Sequence, residues 1–386
     1  MEFGVFFFGT VDMPDAGYGG PPSEKRDYDA ETVNRVFDDL LVYAQKAEEV
    51  GFSQMWTAEH HFHNHGFEVV PNVVLLNAVI AQRTQRIKLG ALCHVLTTWH
   101  PIRFAEDYAM ADVLSGGRML CGLGRGTEER ESAPFGVNVG FQDEIDRLNR
   151  EVFEEQVQIF KLATANEQFA FQGKHYQFPP AGLEFRGEPV TTLPLVPRPL
   201  NTPVRVYQAI FSTPTIHYAA RERHVAVYWG VPTERLIENW RLYGSLVSEH
   251  HGVTLRKGED RLLVINCILG DTREQAFELA RPGHDEIRKL IWFNTQRKNP
   301  ALKGKPAPTL EESVESGQWH VGTAAEVCDA LLALHEQLGI EELTIFPHVP
   351  GMTRPDVLDQ LERFSRDVMP ALREAGVRAR PAVAAS

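Results

Sequence analysis

The chain of 386 residues is poor in cysteine. Its four, Cys93, Cys121, Cys267 and Cys328, are widely spaced and form no CxxC pair, which excludes a disulfide framework and a thiolate zinc site. Three of them lie in apolar runs and read as small buried hydrophobes. No apolar stretch approaches the ~20 residues that cross a bilayer, and Met1 leads straight into a strand-like run, so neither a membrane span nor a secretory leader is expected. Positive charge is also scarce: 39 Lys and Arg face 52 Asp and Glu, for a formal net charge of −13. That excludes a nucleic-acid surface, which needs clustered basic residues. No repeat of fixed period is present, and GLGRG at Gly122–Gly126 lacks the third glycine of a dinucleotide fingerprint. What remains is a cytoplasmic protein with 43% hydrophobic and 24% charged residues, enough for a packed core.

The order of elements then sets the fold class. Glu2–Phe8, EFGVFFF, is an apolar run suited to a strand buried on both faces. Further strands are expected at Gln54–Thr57, Ile87–Cys93, Met119–Leu123, Val204–Ala209, Val225–Tyr228, Leu262–Leu269 and Leu343–Phe346. Helical periodicity follows nearly every one, for example at Asn72–Arg83, Arg103–Leu114, Gln142–Leu162, Thr215–Arg223 and Thr233–His250. Thr272 and Thr323 read as N-caps. The last helix, Asp356–Glu374, sets Val357, Leu361, Phe364, Val368 and Leu372 on one stripe. Eight β/α units argue for an α/β fold, a closed (β/α)8 TIM barrel, with an open doubly wound sheet as the competitor. One domain is expected over 1–375. Insertions are expected near 163–202, with six prolines, and 290–320, where Lys298–Glu312 reads as a lid. Residues 376–386 read as a disordered tail.

The chemistry gathers past the strand ends. QMWTAEHHFHNH at Gln54–His65 breaks from a strand into a histidine-rich loop, and Lys88–Pro101 breaks into one carrying His94, Trp99 and His100. Polar titratable groups beyond successive strand ends mark the catalytic face of an α/β barrel. His60, His61, His63 and His65 suggest a metal site at first, but the other strand ends offer only His348 as a further ligand, so no metal is assigned. His63 and His65 read as surface loop residues. Arg125 leaves the fourth strand beside small residues, and its planar fork suits a phosphate. Ser212 and Thr213 open a helix whose first-turn amides make an anion site. These two features point to one phosphorylated ligand. Phe6, Phe8, Trp56, Phe62, Trp99 and Trp229 fall near strand ends, where they suit either core or an apolar pocket for a flat ring.

These same residues carry a resemblance. MEFGVFFFGT, GFSQMWTAEHHFHNHG, LGALCHVLTTWHPIRFAED, SGGRMLCGLGRG and GIEELTIFPHVPG, in that order, resemble the bacterial luciferase-like, flavin-dependent monooxygenases from Met1 to about Leu372. The resemblance implies a barrel that binds reduced FMN non-covalently and lets O2 add to it as a C4a-hydroperoxide, which oxidises an apolar organic substrate such as an aldehyde, ketone or natural-product intermediate. By position in the motifs, His60 corresponds to the catalytic histidine and Leu92-Cys93 to a cis peptide against the flavin. Arg125 corresponds to the phosphate arginine, and Ser212 and Thr213 to the phosphate loop. Trp229 falls at a cofactor-side position, and Phe8, Trp56, Phe62 and His100 line the substrate pocket. Gly124 stands where luciferases proper carry a reactive cysteine, so light emission is not implied. The family also implies a separate NAD(P)H:flavin reductase as partner and a homodimer through the second and third helices. The alternatives are a deazaflavin (F420)-dependent dehydrogenase on the same barrel, a flavin-storage protein and a metal-dependent hydrolase.

Overall fold

A computed structural model of the chain describes residues 1–126, 128–139, 143–298 and 302–378. Strand β1, Glu2–Phe7, is buried along five of its six residues, as an apolar run that must be covered on both faces requires. The other barrel strands are Gln54–Thr57 (β2), Lys88–Ala91 (β3), Met119–Gly124 (β4), Val206–Ala209 (β5), Val225–Trp229 (β6), Arg261–Gly270 (β7) and Glu342–Phe346 (β8). Each pairs with its neighbours in sequence and β8 returns to β1, so the chain is the expected parallel (β/α)8 barrel. Gly4 in β1 is required by close packing: a Cβ there would stand 2.4 Å from Thr344 Oγ1 on β8.

The helices are α1 (Ala30–Glu49), α2 (Val73–Ala81), α3 (Pro101–Leu114), α4 (Asp143–Ala165), α5 (Thr213–Glu222), α6 (Thr233–His251), α7 (Arg273–Lys298) and α8 (Ala324–Leu338). Their starts follow local chemistry. Asp29 accepts from Thr32 N and Asn72 from Leu75 N, while Thr323 and Glu326 form a reciprocal capping box. The expected last helix is instead α9 (Arg354–Arg363) and α10 (Met369–Arg378) joined by a π-helical turn, Phe364–Val368. Its apolar stripe is nonetheless buried throughout.

Three other stretches differ from expectation. The third strand stops at Ala91, the Leu92–Cys93 bond is cis, and pairing resumes at His94–Val95 beside β4. The proline-rich excursion after α4 contains two small antiparallel hairpins, Phe171–Gln172 with Gln177–Phe178 and Glu184–Phe185 with Glu188–Pro189. Glu155 on α4 holds the first, accepting the backbone N–H groups of Lys174, His175 and Tyr176 at 2.6, 2.9 and 3.1 Å. The segment expected as a lid includes a helix, Leu310–Glu315, with its own capping box, and leads into a strand, Trp319–Thr323, paired to the distal half of β7. Residues 299–301 of that segment, Gln142, and residues 379–386 of the expected tail lie outside the described residues.

Internal contacts divide the chain into two compact units. One comprises Met1–Thr57, His63–Val69 and the chain from Gln208 onward; the other comprises Ala58–Phe62 and Val70–Tyr207. Among the described residues, no helix is long and apolar enough to cross a membrane.

Candidate active site

In the unit built from Ala58–Phe62 and Val70–Tyr207, the EHHF loop is fixed by carboxylates from below and from the side. Glu59 is fully buried and accepts from His61 Nε2 at 3.0 Å, Trp99 Nε1 at 2.9 Å, Thr98 Oγ1 at 3.3 Å and the Val95 amide at 3.3 Å. Burial alone would raise this carboxyl, but the bonds from His61, His94 and Trp99 outweigh it and hold it at about 2. Glu59 therefore ties the loop after β2 to the loop after β3 as a permanent anion.

His60 faces the other way. Its Nδ1 lies 3.1 Å from Oε1 of Glu131, a buried carboxylate in the helical turn Glu129–Ser132 that follows β4. Arg130 of the same turn donates to the Phe62 carbonyl, and Phe135, in the turn Ala133–Phe135 that follows, stacks on the Phe62 ring with centroids 5.8 Å apart. His60 keeps about a quarter of its side chain exposed, 23%. A half-buried imidazole with one nitrogen held by a carboxylate can take or give a proton at the other.

Past β4, Arg125 is half-buried, paired with Asp146 at 2.7 Å and donating to Asn149 Oδ1 at 3.1 Å. The adjoining backbone admits no side chain. A Cβ on Gly122 would sit 1.9 Å from the Ala91 carbonyl oxygen, and one on Gly124 3.0 Å from Cys93 Cβ. The ends of β3 and β4 are thus packed closely together beside a guanidinium, whose planar fork suits a phosphate. His100 is exposed and packs on Phe178, with centroids 5.6 Å apart.

In the other unit, Phe6, Phe8, Phe67, Trp229 and Phe346 form one aromatic cluster, with Phe8 against Trp229 at 5.4 Å and against Phe346 at 5.3 Å. Trp229 is half-buried and donates to Asn266 Oδ1 at 3.1 Å. Ser212 precedes α5, its hydroxyl 2.9 Å from that of Thr215, and Thr213 is exposed in the first turn. Trp56 has no exposed surface and donates to Gln54, so it packs as core and does not line a pocket. His65 is buried, its ring 4.5 Å from that of His63, and His63 pairs with Glu68; neither is a free surface histidine.

Sequence reasoning singles out His60, Leu92, Cys93 and Arg125, which this unit carries near its strand ends, but not the carboxylates that contact His60 and Arg125. Glu59 opens the EHHF element, yet nothing in that motif marks it as an anchor. Glu131 and Asp146 lie on helical segments, and no spacing rule links either to its partner.

A family model described as luciferase-like monooxygenase matches residues 1–342. The oxygenase component of a flavin-dependent trigonelline monooxygenase from Acinetobacter baylyi is 26% identical over 371 residues, 90% of this chain and 93% of that protein. Limonene 1,2-monooxygenase from Rhodococcus erythropolis is 28% identical over 374 residues, 94% of this chain and 87% of that protein. Among solved structures, monooxygenase RslO1 from Streptomyces bottropensis superposes with a TM-score of 0.73 at 25% identity, covering 96% of this chain and 100% of that one. By the extent of the family match, and with a barrel of the same kind, this chain belongs to the luciferase-like monooxygenases.

Proposed function

We propose that the protein is the oxygenase component of a two-component system, using reduced FMN and O2 to oxidise an apolar organic substrate. The observation that carries this reading is the gathering, in one compact unit, of His60 on Glu131, the close-packed Gly122 and Gly124 against Ala91 and Cys93, and Arg125. Reduced FMN, when bound, supplies the electrons and the site of oxygen activation. Arg125 holds its phosphate, and the ends of β3 and β4 lie against its ring. His60 is the proton donor and acceptor, and Glu131 holds it at Nδ1. The aromatic cluster around Trp229 favours an apolar substrate body and exclusion of water.

NAD(P)H chemistry belongs to a separate flavin reductase in this reading. The trigonelline enzyme is itself described as an oxygenase component. The protein works in the cytoplasm, where its four free cysteines stay reduced. It pairs with a second copy through α2 and α3, which expose Leu75, Val79, Met110, Val113 and Leu114.

The test is an anaerobic titration with FMNH2, followed by mixing with oxygenated buffer while the spectrum is recorded. Tight binding and reoxidation slower than that of free FMNH2 are expected, with a transient spectrum distinct from oxidised flavin. Absence of FMNH2 binding, together with binding of reduced F420, turns the assignment to a deazaflavin-dependent dehydrogenase.

A further inference from the structure

We propose that Arg288 on α7 is an anion site that takes the carboxylate of an organic acid. The guanidinium is half-buried, and among the described residues no carboxylate pairs with it; its one hydrogen bond there is a long 3.4 Å contact to the Ser313 hydroxyl. Buried charge is normally matched by an opposite charge, because leaving water costs several kcal/mol. Burial accordingly lowers the proton affinity of this arginine.

The acids of this region are committed elsewhere. Asp285 pairs with His284 Nδ1 at 2.9 Å. Glu286 is occupied by Arg26, Lys289, the Ser23 hydroxyl and the Gly17 amide, and Glu311 pairs with Arg281. The neighbouring cations Arg281 and Lys289 are thus neutralised while Arg288 is not. A carboxylate offers two oxygens to the guanidinium fork in one plane.

The site is joined to the aromatic cluster by contacts within one unit. Trp229 donates to Asn266, and Asn266 donates to the carbonyl of Gln318. The next residue, Trp319, packs on His284 at 5.1 Å, whose Nε2 is 3.0 Å from the Ser313 hydroxyl that also meets Arg288. An acid held here belongs to a molecule with an apolar body for the aromatics and one carboxylate for Arg288. Naming that molecule the substrate rests on the proposed oxygenase function; the anion site does not.

The experiment is calorimetry on the flavin-free full-length protein with benzoate and with benzamide, its uncharged isostere. Benzoate is expected to bind roughly tenfold tighter, the weight of one charge-assisted bond. Arg288→Ala is expected to remove that preference and leave benzamide unchanged, Arg288→Lys to keep part of it, and Arg125→Ala to keep all of it. Equal affinity for acid and amide, undetectable binding of both, or a preference that survives Arg288→Ala and disappears in Arg125→Ala overturns the proposal. FMNH2 binding is measured on the same variants. Benzoate preference without FMNH2 binding keeps the anion site and removes the oxygenase reading, and the opposite result does the reverse.

Discussion

Oε1 of Glu131 lies 3.1 Å from Nδ1 of His60, across 71 residues of sequence, and places a buried negative charge against the imidazole proposed to move the proton. A carboxylate at this distance holds the ring in one orientation. Glu131→Gln should lower turnover about tenfold with FMN binding unchanged, the weight of one charge-assisted hydrogen bond. Glu131→Asp should restore most of that loss, and unchanged turnover in Glu131→Gln would remove the coupling. His60→Ala should retain FMN and lose about 100-fold or more of turnover, the usual weight of general acid–base catalysis. Turnover within a few-fold of wild type would leave His60 without that role.

Arg125 is already engaged by Asp146 at 2.7 Å, so a phosphate must compete with a carboxylate for the same guanidinium. Asp146→Asn should therefore tighten FMN by about two- to fivefold, the scale of a partly exposed ion pair, and leave riboflavin unchanged. Arg125→Ala should weaken FMN far more than riboflavin. Equal losses for the two flavins in equilibrium titrations would show that Arg125 does not hold phosphate.

Glu59 stabilises the loops after β2 and β3 through His61, Thr98, Trp99 and the Val95 amide together. Glu59→Ala leaves several donors unmatched in a buried place and should cost about 3–5 kcal/mol in urea unfolding. Glu59→Gln keeps the shape but can return only one acceptor oxygen, and should fall between. A loss below 1 kcal/mol for the alanine variant would mean that the loops do not depend on this anchor.

Burial lowers the pKa of His320 and of His348 to about 4. Between that value and the ordinary histidine pKa near 6.5 the unfolded chain binds protons that the native chain does not, so stability falls as pH drops through this window. The loss should approach about 1.4 kcal/mol per pH unit for each histidine. His320→Gln should flatten the pH dependence of unfolding between pH 6 and 4.5 by about one proton. An identical slope in the variant would mean that His320 is protonated in the folded protein.

The barrel was legible because its strands are apolar on both faces and each is followed by a helix with a start signal, as Thr323 and Asn72 show. The site was legible only where a motif concentrates it, as around His60 and Arg125. Glu131 and Asp146 act through tertiary placement, and a charged residue on a short helix carries no mark of the partner it will meet. The hairpin at Phe171–Phe178 escaped for a similar reason, since its support is Glu155 on the preceding helix. Trp56 misled in the opposite sense, for an aromatic at a strand end has the same pattern whether it lines a cavity or fills the core.

Strand β7 serves two ladders, pairing through Asn266 with β8 and from Asn266 onward with Trp319–Thr323. The long excursion after Gly270 therefore returns to its own base, with Gly270 opposite Thr323 in register. A segment whose two ends are already stapled side by side is a cassette: it can be exchanged between relatives without asking the barrel to close a new gap. Arg288 rides on that cassette. Diversification has a ready route here, in which one recombination at residues 271–322 replaces the face carrying Arg288 while His60, the ends of β3 and β4 and Arg125 are left unchanged.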